Sequence, residues 1–238
     1  MRLNRFFGDF DFTQKTLRIS DGDFLHQAKN VLRLEKGEEI ILADGQGQEA
    51  SVKIIQYGRD FAGVEITEVR QNKNEPEKQV ILYCAVLKRE NFELVVQKAV
   101  EVGISEIAPV ISQHTVKTGL KKDRLAKIMK EAAEQSGRGI IPILREAMNF
   151  NDALAGAKEN DVNILFDRSG TKFTQSDCVN LVQQEDMRVG IFIGPEGGWS
   201  EEEVGAAKEA GFKIVSLGKL TLRAETAAIT AAYLVCRG

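Results

Sequence analysis

Phe192-Ile193-Gly194-Pro195-Glu196-Gly197-Gly198-Trp199-Ser200-Glu201-Glu202-Glu203 leaves an apolar strand, crosses a glycine-rich turn and enters a helix. Ser200 and Glu203 have the spacing of a capping box, in which each residue satisfies a free donor of the helix start, so the helix boundary is well specified. Glycines at 194, 197 and 198 let the backbone approach a ligand and leave amide groups pointing outward. A tight turn with a capped helix behind it explains the same residues without any ligand, so the turn needs support from its neighbours.

Two flanking segments give that support. Upstream, the apolar run Val162 to Phe166 ends in Asp167-Arg168-Ser169-Gly170; downstream, Ile214 to Leu217 ends in Gly218-Lys219-Leu220-Thr221-Leu222-Arg223-Ala224-Glu225-Thr226-Ala227 and an alanine-rich helix. Three strand ends in a row thus carry polar or glycine-rich residues. Earlier, Val80 to Leu87 reads as a strand buried on both faces. Asn91 to Val102 puts Phe92, Val95, Val96, Ala99 and Val100 on one helical face and stops at Gly103, a C-terminal cap. Ile107 to Ile111 predicts a strand, and Lys121 to Ser136 a basic helix with Leu125, Ile128, Met129, Ala132 and Ala133 inward. This alternation predicts an α/β domain with a mainly parallel sheet, whose ligands sit outside the carboxyl ends of its strands.

The first part of the chain is different. Residues 72–79, polar and holding Pro76, predict a linker, giving domains at 1–71 and 80–238. Glu39 to Ala43, Ala50 to Ile55 and Phe61 to Val69 predict short strands, with Asp44-Gly45-Gln46-Gly47 as a hairpin turn. A helix capped by Ser20 or Asp21 carries Phe24, Leu25, Ala28, Val31 and Leu32 at helical spacing. A small, partly closed β-barrel is expected.

With 238 residues and 43% hydrophobic content the chain can bury its core without staples. Its 3 cysteines are scattered, which excludes a disulfide framework or zinc ribbon and fits a reducing compartment. His26 and His114 cannot complete a metal site with them, and no metal is expected. The start lacks the apolar region of a signal peptide and no run is long enough to span a bilayer, so a soluble, cytoplasmic protein without membrane partners is expected. G-x-x-x-x-G-K-[ST] and G-x-G-x-x-G are both missing, which disfavours ordinary nucleotide-dependent enzymes. A net charge of -3 argues against nonspecific coating of nucleic acid. Yet Lys117, Lys121, Lys122, Arg124, Lys127 and Lys130 cluster, followed by Arg138 and Arg145, while Arg2, Arg5, Lys15, Arg18, Lys29, Arg33 and Lys36 make a second group. Two basic clusters on an acidic chain predict a placed polyanion site.

The Phe192–Glu203 stretch, with Leu217-Gly218 and Leu222-Arg223-Ala224-Glu225-Thr226-Ala227, closely resembles the bacterial 16S ribosomal RNA (uracil-N3)-methyltransferases, the RsmE family of the SPOUT class. The resemblance covers nearly the whole chain: Arg5-Phe6-Phe7, His26, Val31-Leu32-Arg33 and Asp44-Gly45-Gln46-Gly47 match, as do Lys88, Gln97-Lys98-Ala99, Glu101-Val102-Gly103 and Glu131-Ala132-Ala133-Glu134-Gln135-Ser136 with Arg138. Leu125 replaces a usual tryptophan and Thr221 a usual isoleucine, both read as packing changes.

The resemblance implies a PUA-like β-barrel for RNA followed by a SPOUT-type α/β domain closed by a trefoil knot, in a homodimer acting on 16S ribosomal RNA or the small ribosomal subunit. It implies S-adenosylmethionine as cofactor, surrounded by Leu165, Phe166, Ile193, Gly194, Pro195, Glu196, Gly197, Gly198, Leu217, Gly218, Leu222, Arg223, Glu225, Thr226 and Ala227. RNA contacts fall on Arg2, Arg5, Arg33, Lys88, Lys117, Lys121, Arg124 and Arg138. Uracil N3 carries a proton and is a poor nucleophile until the base moves toward its anion. Arg223 first and Arg138 second are therefore expected to stabilise charge on a uracil oxygen, with Glu196 or Glu225 accepting the proton. Ala227, Ala228, Ala231 and Ala232 permit close helix packing. Two rivals stay open: a related enzyme modifying another RNA position, and an RNA-binding assembly factor without turnover. Cofactor titration separates the second from an enzyme.

Overall fold

The computed structural model describes residues 3–116, 119–174, 177 and 187–237. Arg2, Lys117 and Cys178 lie outside the described residues. The chain divides into two compact units, Met1–Glu75 with Ala133–Ile141, and Pro76–Ala132 with Pro142–Gly238.

The first unit is a mixed five-stranded sheet of β1 (Arg5–Phe7), β2 (Thr16–Ile19), β3 (Glu39–Ala43), β4 (Gln48–Tyr57) and β5 (Ala62–Gln71), in the order β1-β3-β4-β5-β2. Only β1 and β3 run parallel; the other ladders are antiparallel. Two register shifts in the β4–β5 ladder, at Ser51/Val52 and Ile54/Gln56, are bulges of the kind that bend and twist a sheet. The β3–β4 hairpin turns on Asp44, whose Oδ1 accepts the amides of Gln46 at 2.7 Å and Gln48 at 3.0 Å. Gly45 and Gly47 there have φ of 77° and 105°, which side chains disfavour. Phe6, Ile40, Leu42, Val52, Ile54 and Val64 form the core with Phe24 and Ala28.

The expected helical stripe at residues 24–32 holds only in its first half. The α-helix α1 (Gly22–His26), capped by Asp21, gives way to a π-helix over Gln27–Val31, in which the Leu32 amide donates to Gln27 O at 2.9 Å. A π turn holds more residues than an α turn, so residues after it lose their alignment with those before it. Phe24 and Ala28 point inward, whereas Val31 is 62% and Leu32 37% exposed. Arg33 then leaves with φ 55°, outside the usual range for a side-chain-bearing residue. The strands β1 and β2 are too short to show a period in sequence.

The second unit is an all-parallel sheet: β6 (Gln79–Ala85), β7 (Glu106–Ile111), β8 (Ile143–Leu144), β9 (Met148–Asn149), β10 (Val162–Lys172), β11 (Arg188–Ile193) and β12 (Lys213–Ser216), in the order β12-β10-β11-β6-β7-β8 with β9 also on β7. Its helices include α2 (Arg89–Val102), α3 (Lys122–Ser136, whose last residues belong to the first unit), α4 (Phe150–Gly156), α5 (Glu201–Glu209) and α6 (Ala224–Cys236). Central strands are buried on both faces, as their unbroken apolar runs predict. Tyr83 and Phe192 stack at 4.2 Å, with Phe150 and Phe212 edge-on to Phe192. Gly103 ends α2 at φ 105°. The helix α6 packs on α2, β6 and β11, with Ala228, Ala231 and Ala232 fully buried. Parallel strands all end on one side, so the three chemistry-bearing strand ends lie together. No helix among the described residues is long and apolar enough to cross a membrane.

Candidate active site

The carboxyl ends of β10, β11 and β12, with the starts of α2 and α6, enclose a cleft of about 1090 Å³. Its floor is the glycine turn after β11. There the Gly198 amide donates to Pro195 O at 2.8 Å, and Gly198 takes φ 75°. His114 Nδ1 lies 3.1 Å from Gly198 O, and a Cβ on Gly197 would come 3.1 Å from the His114 Cβ. His114 therefore props the turn. Trp199 is 7% exposed, lies against Phe150 at 5.0 Å, and would be met at 3.3 Å by a Cβ on Gly194; it anchors the turn. Behind it the capping box is complete: Ser200 Oγ accepts the Glu203 amide at 3.2 Å, and Glu203 Oε2 accepts the Ser200 amide at 2.9 Å. Glu203 Oε1 also accepts the Gln113 amide at 2.9 Å, tying the helix start to the segment after β7.

The wall from β10 depends on one glycine. Phe166 and Thr171 both pair with Val215 of β12, so residues 167–170 bulge out over the strand end. A Cβ on Gly170 would lie 2.5 Å from Val215 N and 2.6 Å from Val215 Cα, closer than any side chain could come. The bulge presents Asp167, Arg168 and Ser169 to the cleft. Arg168 Nη1 donates to Thr221 Oγ1 at 3.4 Å; Thr221 is exposed in the opposite loop, a polar contact rather than the packing change expected.

Of the expected cofactor residues, Phe166, Ile193 to Gly198, Leu217, Gly218, Leu222, Arg223, Glu225 and Ala227 line the cleft. Leu165 does not. It is fully buried in the core beneath, because adjacent residues of a strand face opposite sides. Thr226 is exposed and also absent from the lining. The strand-end residues Asp167, Arg168 and Ser169, singled out in the sequence but not assigned to the cofactor, also line the cleft, as do Asn91 and Ser216, which no sequence signal pointed to.

Arg223 is exposed at the N-cap of α6, and Glu196 is exposed on the glycine turn, with Oε1 3.4 Å from the Lys88 amide. Glu225, in the first turn of α6, is 9% exposed, and its Oε2 has no hydrogen-bond partner among the described residues. Trp199 Nε1 is a second orphaned polar atom in the same lining. Cys84 at the end of β6 is inert, its thiol pushed up to about 12 by burial and then by the Glu196 charge.

The expected RNA contacts divide. Arg33, Lys88 and Lys121 are exposed, and Lys88 lines the cleft. Arg124 is exposed but bonded to Glu93 at 2.7 Å. Two expectations are overturned. Arg5 is 9% exposed and paired with Glu49, which also takes Arg70 at 2.9 Å and Asn72 at 2.7 Å. Burial works against the Glu49 charge, but the Arg5 and Asn72 hydrogen bonds and the charges of Arg5 and Arg70 outweigh it and keep that carboxyl below its ordinary range. Arg138 is 5% exposed, forked onto Glu75 at 2.7 Å, and is not among the cleft residues. Both guanidiniums are bound to carboxylates, the buried Glu49 and the half-buried Glu75, so neither is free for RNA, nor Arg138 for the reacting base.

The cleft suits S-adenosylmethionine. It offers backbone amides at a glycine turn, apolar walls from Phe166, Ile193 and Leu222, and unpaired polar atoms at Glu225 and Trp199. Known proteins agree in kind. Residues 73–236 match a family model described as an RNA methyltransferase domain, and residues 19–67 one described as an RNA methyltransferase PUA domain. The ribosomal RNA small subunit methyltransferase E of Mesomycoplasma hyopneumoniae is 37% identical over 69% of this chain and 72% of its own length. The protein of the same name from Rickettsia conorii is 29% identical over 97% of this chain and 94% of its own. A solved ribosomal RNA small subunit methyltransferase E from Neisseria gonorrhoeae, bound to S-adenosyl methionine, superposes with a TM-score of 0.83 at 28% identity, over 97% of this chain and 95% of its own. These matches bear out the expected PUA-like and SPOUT-type architecture, and the chain belongs to the ribosomal RNA small subunit methyltransferase E family of RNA methyltransferases.

Proposed function

We propose that this chain moves the methyl group of S-adenosylmethionine to N3 of a uridine in 16S ribosomal RNA of the small subunit. In this reading it works in the cytoplasm as a homodimer, with a trefoil-knotted carboxyl end. Residues 1–71 hold RNA, 72–79 link, and 80–238 carry the chemistry. The observation that carries the proposal is the cleft itself: a glycine turn, a bulged strand end and the start of α6 meet there, with Arg223 and Glu196 both exposed on its lining. The cofactor bound by the Neisseria relative, and the ribosomal RNA in the relatives' names, point the same way.

When bound, S-adenosylmethionine supplies a methyl carbon made electrophilic by its sulfonium. Backbone groups of the turn at 194–198 and of Leu217 and Gly218 would hold its adenine, and Phe166, Ile193 and Leu222 would exclude water beside it. Arg223 faces a uracil oxygen and stabilises the negative charge that grows there as N3 becomes nucleophilic. Glu196 takes the N3 proton onto its carboxylate. Lys88, Lys121 and Arg33 hold phosphates of the RNA. Most of the rate then comes from alignment of base and donor.

The test is to incubate the purified protein with S-adenosylmethionine and small ribosomal subunits from cells lacking this enzyme, and to analyse the digested RNA by mass spectrometry. Appearance of 3-methyluridine is expected. Cofactor binding without that nucleoside would move the reaction to another RNA position; absence of cofactor binding would end the proposal.

A further inference from the structure

The steps above leave two carboxylates of the cleft without work: Asp167, which accepts from the Ser169 amide and hydroxyl, and Glu225. Glu225 lines the cleft, is nine-tenths buried, and has its Oε2 sealed from solvent with no hydrogen-bond partner among the described residues. A carboxylate oxygen in such a place is costly, because it has given up water and gained no donor. The positive end of α6 offsets part of that cost, as it does for any acid in a first helical turn. It offsets only part: the first-turn acids of α5 do the same service from hydrogen-bonded or exposed positions. Glu196 is different again, being exposed on the glycine turn.

Resting on the reading of the cleft as a cofactor site, we infer that Glu225 is the countercharge for a cationic group of S-adenosylmethionine, and that it makes the cleft select for charge. The cofactor carries two cations, the sulfonium and the amino-acid ammonium, and both share the chemistry that a buried unpaired carboxylate lacks. Methyl transfer turns the sulfonium into a neutral thioether, so a carboxylate matched to the sulfonium loosens its hold when the reaction is complete. The cost of leaving Glu225 unpaired in the empty cleft is returned when the cation enters, which makes the group destabilising to the free protein and favourable to the complex.

The test compares the wild type with Glu225→Gln by calorimetry, using S-adenosylmethionine, S-adenosylhomocysteine, which keeps only the ammonium, and 5′-methylthioadenosine, which has neither cation. The thermal midpoint of the ligand-free proteins is measured alongside. Glu225→Gln is expected to raise the ligand-free midpoint, to weaken S-adenosylmethionine about tenfold, and to leave 5′-methylthioadenosine unchanged. Loss for S-adenosylmethionine alone assigns the sulfonium; equal loss for S-adenosylhomocysteine assigns the ammonium. Equal weakening of all three ligands, or of none, overturns the inference. Should the glutamine variant fail to fold, Glu225→Asp, which keeps the charge and withdraws it, is expected to weaken the cationic ligands selectively. A wild type that binds none of the ligands would instead remove the cofactor site itself.

Discussion

Arg138 and Glu75 form a fork in the first unit: Nη2 lies 2.7 Å and Nε 3.2 Å from Oε2. Oε1 accepts the amides of Gly139 at 2.9 Å and Ile140 at 3.1 Å. One carboxylate thus pins a side chain and the backbone after it. Glu75→Ala leaves the Arg138 guanidinium buried beside two free amides, and is expected to cost roughly 3 kcal/mol of stability in urea unfolding. Adding Arg138→Met should recover part of the loss, because a buried charge is replaced by an apolar side chain of similar length. Cofactor affinity of the folded protein stays at the wild-type value, as neither residue lines the cleft.

Gly170→Ala tests the bulge of β10. Its new methyl would fall on Val215 backbone atoms, which cannot rotate away as a flexible side chain would. The expected result is about 2 kcal/mol of destabilisation or more, with cofactor affinity reduced through displacement of Asp167 to Ser169. Thermal unfolding and calorimetric titration check both effects. Gly205→Ala, at a helical site with open space beside it, is the control and should be neutral or stabilising.

Glu93 sets an acid limit. The Arg124 hydrogen bond is the largest influence holding its carboxyl down at about 2; desolvation opposes it, and the Arg89 hydrogen bond and the charges of both arginines outweigh that opposition. A carboxyl whose folded value lies below its ordinary 4.5 stabilises the fold above that ordinary value and ceases to do so as the pH falls through about 2. Stability should therefore fall from about pH 5 toward pH 2, and Glu93→Gln should flatten that fall. Urea midpoints of both proteins across this range measure the difference; parallel curves would remove Glu93 from the account.

Local signals were legible where a local rule produced them. Ser200 and Glu203 announced their helix, Gly103 its end, and Asp44 to Gly47 a hairpin, because capping and turn chemistry operate within a few residues. The strand runs at 80–87 and 162–166 announced a buried parallel sheet for the same reason. What the sequence hid depends on partners far along the chain. Arg5 looks like a free cation until Glu49 is beside it, and Arg138 until Glu75 is. Residues 133–141 join the first unit by contacts that no periodicity records. Val31 and Leu32 fit a helical stripe, and only the π turn at Gln27–Val31 swings them outward. Thr226 sits within a recognised motif, yet is exposed and not among the cleft residues.

Arg223 carries the sharpest claim about turnover. It stands at the N-cap of α6 without a side-chain cap bond, so its substitution removes no bond that starts the helix. If it stabilises charge on the uracil oxygen, that interaction grows only as the transition state is approached, and its loss lowers kcat rather than cofactor affinity. Arg223→Ala is expected to lower kcat by about a hundredfold or more, a scale typical of removing one donor to a developing oxyanion. The dissociation constant for S-adenosylmethionine should change little. Arg223→Lys keeps the charge but not the planar fork, and should restore part of kcat. Single-turnover rates with small ribosomal subunits and direct titration of the cofactor separate the two quantities. Equal losses in both would make Arg223 a cofactor ligand instead, and would pass the charge-stabilising role to Arg168, the other arginine of the cleft.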